Sequence, residues 1–129
     1  MKKQLILILL LFITTAGSIM AQGTMEQKPN VRAKETYFKL KTDLTLLGEQ
    51  DAKVYQVFED YYTTIQKVRE EMRASGNLDR ENMRDNMQRV AGVRDAKLKV
   101  ILTEDQMKKW VNEVEPTMYP KTKREEQKQ

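Results

Sequence analysis

The chain of 129 residues contains no cysteine and no histidine, with only 3 Pro and 5 Gly. Without cysteine there is no disulfide framework, thiol nucleophile, zinc–thiolate site or lipid-modified N-terminal cysteine. Without histidine the usual general base, the usual transition-metal ligand and the side chain that switches charge near neutral pH are missing. The shortage of glycine and proline argues against an all-β chain, which needs many tight turns. Charge is plentiful: 33% of the residues are Asp, Glu, Lys or Arg, with 23 basic against 19 acidic. The starting expectation is a helical protein that is not an enzyme.

The N-terminus reads as an address label. Met1-Lys2-Lys3 is a short basic start, and Leu5 to Ile13 is an apolar run of nine residues. Small and polar residues follow, and Ile19-Met20-Ala21 offers a small residue at a cut. This is the layout of a secretory signal peptide, with cleavage after Ala21 preferred over cleavage after Ser18. The competing reading is a permanent anchor, but spanning the hydrocarbon takes about 20 apolar residues. Cleavage leaves 108 residues, and loss of Lys2 and Lys3 lowers the net charge from +4 to +2. Export makes nucleic acid an unexpected partner despite the basic content. The expected compartment is the periplasm, with no permanent membrane span.

Apolar periodicity predicts four helices with short connections. Pro29 and Asn30 mark the entry to the first, whose stripe is Tyr37, Leu40, Leu44 and Leu47, interrupted at Gly48. The second runs from about Glu49 to Ala74 on a seam of Val54, Phe58, Tyr61, Ile65, Val68 and Met72, alternating in steps of four and three. Gly76 suits its C-terminal cap. The third runs from about Asp79, a natural N-cap, to Ile101. Its stripe of Met83, Met87, Val90 or Ala91, Leu98 and Ile101 is broken by Arg94. The fourth, Thr103 to about Glu115, carries Met107, Trp110, Val111 and Val114, and Pro116 stops it. The expected organisation is a signal peptide over 1–21, a flexible tail over 22–29, an all-helical domain over 30–118 and a charged disordered tail over 119–129.

The junction Leu102-Thr103-Glu104-Asp105-Gln106 has a mechanical logic. The Thr103 hydroxyl can accept from an unpaired N–H of the first turn, and the Gln106 amide can reach back to the N–H of residue 103, making a capping box. Leu102 can pack on Met107 as a hydrophobic staple, and Glu104 and Asp105 suit the positive end of the helix dipole. A degenerate copy, Leu46-Leu47-Gly48-Glu49-Gln50, keeps Leu46 and Gln50 but has Leu47 where a Thr belongs.

An exported chain of this size, with four predicted helices and two Leu-Thr-x-x-Gln elements, resembles the Spy/CpxP family of periplasmic proteins. The elements are Leu102, Thr103 and Gln106, intact, and Leu46 and Gln50, partial. The resemblance covers roughly residues 30–118 and implies a thin, curved all-α dimer shaped as a cradle. It also implies one of two functions. Spy-like members are ATP-independent chaperones that hold unfolded or partly folded envelope proteins on a concave face. CpxP-like members damp an envelope-stress sensor kinase by docking on its periplasmic domain. In either case Leu46, Gln50, Leu102, Thr103 and Gln106 carry over as structural residues. The absent Thr in the first copy and the absence of histidine depart from the family pattern.

A chaperone working without nucleotide needs steering charge and adaptable apolar contacts, and the unbranched thioether of methionine suits the second. Met83 and Met87 interleave with Arg80, Arg84 and Arg89 on the third helix, and these five are the candidate client-binding residues. The competing readings are a buried position for the methionines and a merely solvated face for the arginines. Met72, Met107 and Trp110 read as packing residues, Trp110 within the subunit or at a dimer interface. Neighbouring carboxylates such as Glu59-Asp60 and Glu70-Glu71 point about 100° apart on a helix and cannot aim at one bond. No catalytic residue, metal site or cofactor is expected. A short chain with long apolar stripes predicts a homodimer.

Overall fold

The computed structural model describes residues 27–120. The expected signal peptide over 1–21, most of the expected N-terminal tail and residues 121–129 lie outside the described residues. The fold is all-α. Helix α1 spans Pro29–Asp43, α2 spans Gly48–Ser75 and α3 spans Arg80–Ile101. The C-terminal run comprises α4 (Glu104–Lys109), a π-helical turn (Trp110–Val114) and α5 (Glu115–Met118). No described helix is long and apolar enough to cross a membrane.

Each boundary has a local cause. Pro29 stands at the start of α1, where its missing N–H costs nothing. Gly76 closes α2 at φ 69°, a conformation that costs glycine least. Asp79 caps α3 by accepting from the Glu81 N–H at 3.3 Å.

The core is a layer on one side of α2. Val54, Val57, Phe58, Tyr61, Tyr62 and Ile65 pack against Ala33, Leu40 and Leu44 of the α1 end and against Leu98, Leu102, Trp110 and Val114. Trp110 is fully buried within the single chain, T-shaped to Phe58 at 5.7 Å. Met72 is buried but lies outside this cluster, where its sulfur accepts a weak contact from Asn86.

Four details differ from the sequence expectation. Leu47, expected on the first stripe, is 61% exposed. The chain leaves α1 at Leu44, Thr45 reverses it with φ 52°, and Leu46 takes the inward place instead. Val111 is likewise turned out, while Trp110 and Val114 point in. Pro116 does not end the last helix. In an α-helix its ring would strike the carbonyl four residues back. The chain answers with a π turn, the Glu115 N–H reaching Trp110 O, and Pro116 begins the next helical turn. Finally, Tyr119, expected at the head of the tail, packs against the core.

Candidate functional site

The two Leu-Thr-x-x-Gln elements meet in space. Gln106 accepts from the Thr103 N–H at 3.0 Å while its own N–H donates to Thr103 Oγ1 at 3.2 Å. In the first copy Gln50 accepts from the Leu47 N–H at 2.9 Å. Leu47 has no side-chain acceptor, so its backbone carbonyl takes the Gln50 N–H at 2.8 Å. The amides of Gln50 and Gln106 then face each other, each donating to the other at 2.7 and 3.0 Å. Each also donates to the chain leaving the helix before the other copy: Gln50 to Ile101 O at 3.1 Å, Gln106 to Leu44 O at 3.3 Å. Leu46 and Leu102 are buried on either side. These five residues tie the α1–α2 junction to the α3–α4 junction, a structural role.

Arg94 is the second organising feature. It interrupts the α3 stripe because it belongs to the interior: its residue is 2% exposed, deeper than most of the leucines. Its guanidinium lies 4.8 Å from the Tyr61 ring centroid, 5.0 Å from Trp110 and 5.2 Å from Tyr119. Nε donates to Asp95 Oδ1 at 2.8 Å and Nη2 to Glu115 Oε1 at 2.5 Å. Asp95 Oδ1 also accepts from Trp110 Nε1 at 3.2 Å. Burial alone would lower the guanidinium's pKa, but the bond and charge of Asp95, with Tyr61 and Glu115, outweigh it and the net shift is upward. The cation is compensated, as a buried charge must be.

Above Arg94 opens a cavity of about 510 Å³ between α1, α2, α3 and α5. Its lining joins Arg32, Arg69, Arg84 and Arg94 with Tyr61, Ile65 and Met87, and Glu115 and Tyr119 form part of its wall. Arg32 stacks on Tyr62 at 4.3 Å. Arg84 makes long ion pairs, both 3.9 Å, with Glu81 and Asp85. Thr36, Tyr62 and Tyr119 form a hydroxyl chain, at 2.8 and 2.5 Å, that reaches the wall at Tyr119. Burial first, then Tyr62, pushes the Tyr119 phenol above its ordinary pKa.

The structure therefore divides the five client-binding candidates. Arg84 and Met87 line this cavity. Arg89 lies on the other side of the α2–α3 seam, bonded to Asn86 and lining a smaller cavity of about 250 Å³ with Val57, Val68, Val90 and Val93. Arg80 is exposed and Met83 half-buried, and neither lines these two cavities. Arg32, Arg94 and Tyr119 were absent from the sequence candidates. Arg94 did leave a signal: a charged residue in register with Met87, Ala91, Leu98 and Ile101 is a buried-ion position.

The profile of a domain of unknown function, DUF4890, matches residues 19–110. The chain belongs to the DUF4890 family. Within DUF4890 the matched stretch takes in α1, α2, α3, both capping elements and Arg94, and it stops at Trp110. Glu115 and Tyr119 lie beyond it. No curated protein and no solved structure matches the chain.

Proposed function

We propose that this DUF4890 protein is an exported, ATP-independent chaperone of the Spy/CpxP kind, holding unfolded or partly folded envelope proteins. The observation that carries the reading is the cavity that sets Arg32 and Arg84 beside Ile65, Met87 and Tyr61. Guanidinium groups attract acidic segments at long range and lose that attraction in salt. A methionine and an isoleucine hold apolar side chains with little demand on shape. The combination serves weak, reversible binding of many sequences rather than one ligand. The signal peptide over residues 1–21 supplies the route to the periplasm in this reading.

A homodimer belongs to the same proposal. Phe38, Leu78, Val93 and Val100 are 55, 65, 54 and 87% exposed on the single chain, and a second subunit is an economical cover for such side chains.

The test is light scattering by an unrelated protein as it unfolds, without nucleotide. The protein at equal or modest molar excess suppresses the rise, and does so less well at about 1 M salt, where the Debye length is only ~3 Å. No suppression at a tenfold excess removes the proposal. A single saturable partner recovered from the envelope, with indifference to generic unfolded protein, moves the assignment to regulatory docking on a sensor kinase.

A further inference from the structure

The wall of the Arg94 cavity contributed by α5 has the chemistry of a ligand. Glu115 places a carboxylate on the Arg94 guanidinium, and Tyr119, four residues on, stands edge-on to Tyr61 with ring centroids 6.1 Å apart. Its hydroxyl closes on Tyr62. Between them Pro116 and Thr117 remain exposed. The segment is short, joined to α4 only through the π turn, and neither Glu115 nor Tyr119 is fully buried. No residue of α5 itself is buried, so it opens at lower free energy than the helices it rests on, and π turns recur where function needs an irregular helix. The surface beneath it keeps a recognition site of its own: a guanidinium framed by Tyr61 and Trp110 and still paired with Asp95, with Ile65, Met87, Arg32 and Arg84 around.

We infer that Glu115 and Tyr119 occupy, within the chain, the place of the cavity's ligand: a short peptide segment with a carboxylate three or four residues ahead of an aromatic ring. The inference rests on the client-holding role proposed for the same cavity and deepens it. The ligand's carboxylate takes Arg94, its ring takes the tyrosine wall, and the apolar side chains between them rest on Ile65 and Met87. Arg32 and Arg84 draw the acidic end in. The α5 segment acts as a latch that an incoming chain displaces. Residues 121–129 do not match the site by charge, with Lys121, Lys123, Arg124 and Lys128 against Glu125 and Glu126. A latch that occupies the site most of the time weakens the apparent affinity by the fraction of molecules left open.

The experiment uses a fluorescent peptide with the sequence of residues 114–120 and a second peptide carrying Gln in place of Glu115. Polarisation is read on the unsubstituted protein and on the Glu115→Gln and Tyr119→Phe variants. Tyr119→Phe removes only a hydroxyl and keeps the ring. Loosening the latch raises affinity for the peptide about three- to tenfold in each variant, and the Gln peptide binds several-fold more weakly to all three proteins. Equal or weaker binding by both variants, with helical circular dichroism intact, overturns the inference; should Glu115→Gln fail to fold, Tyr119→Phe decides alone. Aggregation suppression measured in parallel separates the two readings. Suppression with unchanged peptide affinity keeps the chaperone and removes the latch. Latch-dependent peptide binding without suppression keeps the ligand assignment and removes the chaperone.

Discussion

Gln50 and Gln106, 56 positions apart, exchange side-chain hydrogen bonds in both directions. Each amide also caps its own helix, so one pair of side chains fixes two helix starts and the distance between them. The first copy does this with a backbone carbonyl where the second uses Thr103 Oγ1. The degenerate motif is therefore functional as a structural device.

Gln106→Ala removes bonds to Thr103, Leu44 and Gln50 at once and leaves half-buried partners unsatisfied. The expected loss is about 2–3 kcal/mol by urea denaturation, with about the same for Gln50→Ala. The double variant is less destabilised than the sum, by roughly 1 kcal/mol or more, because the same bonds are lost in both singles. Additive losses contradict the pairing.

Arg94→Ala strips a compensated cation from Asp95 and Glu115 and opens space among three rings. A loss of about 3–5 kcal/mol is expected. Arg94→Met keeps much of the volume and restores an apolar residue to the α3 stripe, so it costs distinctly less. Equal melting points for the two variants contradict the packing role assigned to this side chain.

Thr45 carries the one positive φ among described residues other than glycine, at 52°. A β-branched side chain is strained there, whereas asparagine tolerates the left-handed region. Thr45→Asn is expected to raise stability by about 0.5–1 kcal/mol, read from the denaturation midpoint, and an unchanged midpoint contradicts the strain.

Burial and Tyr62 hold the Tyr119 proton more tightly in the folded state, and burial does the same for Tyr61 against the pull of Arg94. A raised folded pKa means stability that is complete below the unfolded value and declines as pH rises past it. The ordinary tyrosine value is 10.0, so stability is expected to hold to about pH 9 and fall from about pH 10 upward. The decline is at most about 1.4 kcal/mol per pH unit per tyrosine. Tyr119→Phe makes it shallower; an identical slope contradicts the assignment.

Helix number and class were legible because the α2 seam repeats without interruption from Val54 to Met72 and because capping residues mark the starts of α3 and α4. Leu47 misled the periodicity, since a single left-handed residue at Thr45 shifts the inward position to Leu46. Pro116 misled it too, because only a tertiary demand for Trp110 and Val114 inside explains why the chain adopts a π turn rather than stopping. The candidate site was legible in composition but not in membership. Arg84 and Met87 share a cavity, yet Arg32 and Tyr119 reach it from the two ends of the described chain, which no local pattern on α3 can announce. Arg94 was visible as an anomaly, and its meaning required the rings from other helices.

The proposed function lays unfolded chains in the cavity between α1, α2, α3 and α5. A photo-crosslinking residue placed at Gln88, which lines the cavity, and another at Thr63, exposed and outside its lining, test it directly with an unfolding client. Strong client adducts from position 88 and few from position 63, diminished by salt, are the predicted result. Equal adducts from both positions, or none from position 88, contradict it.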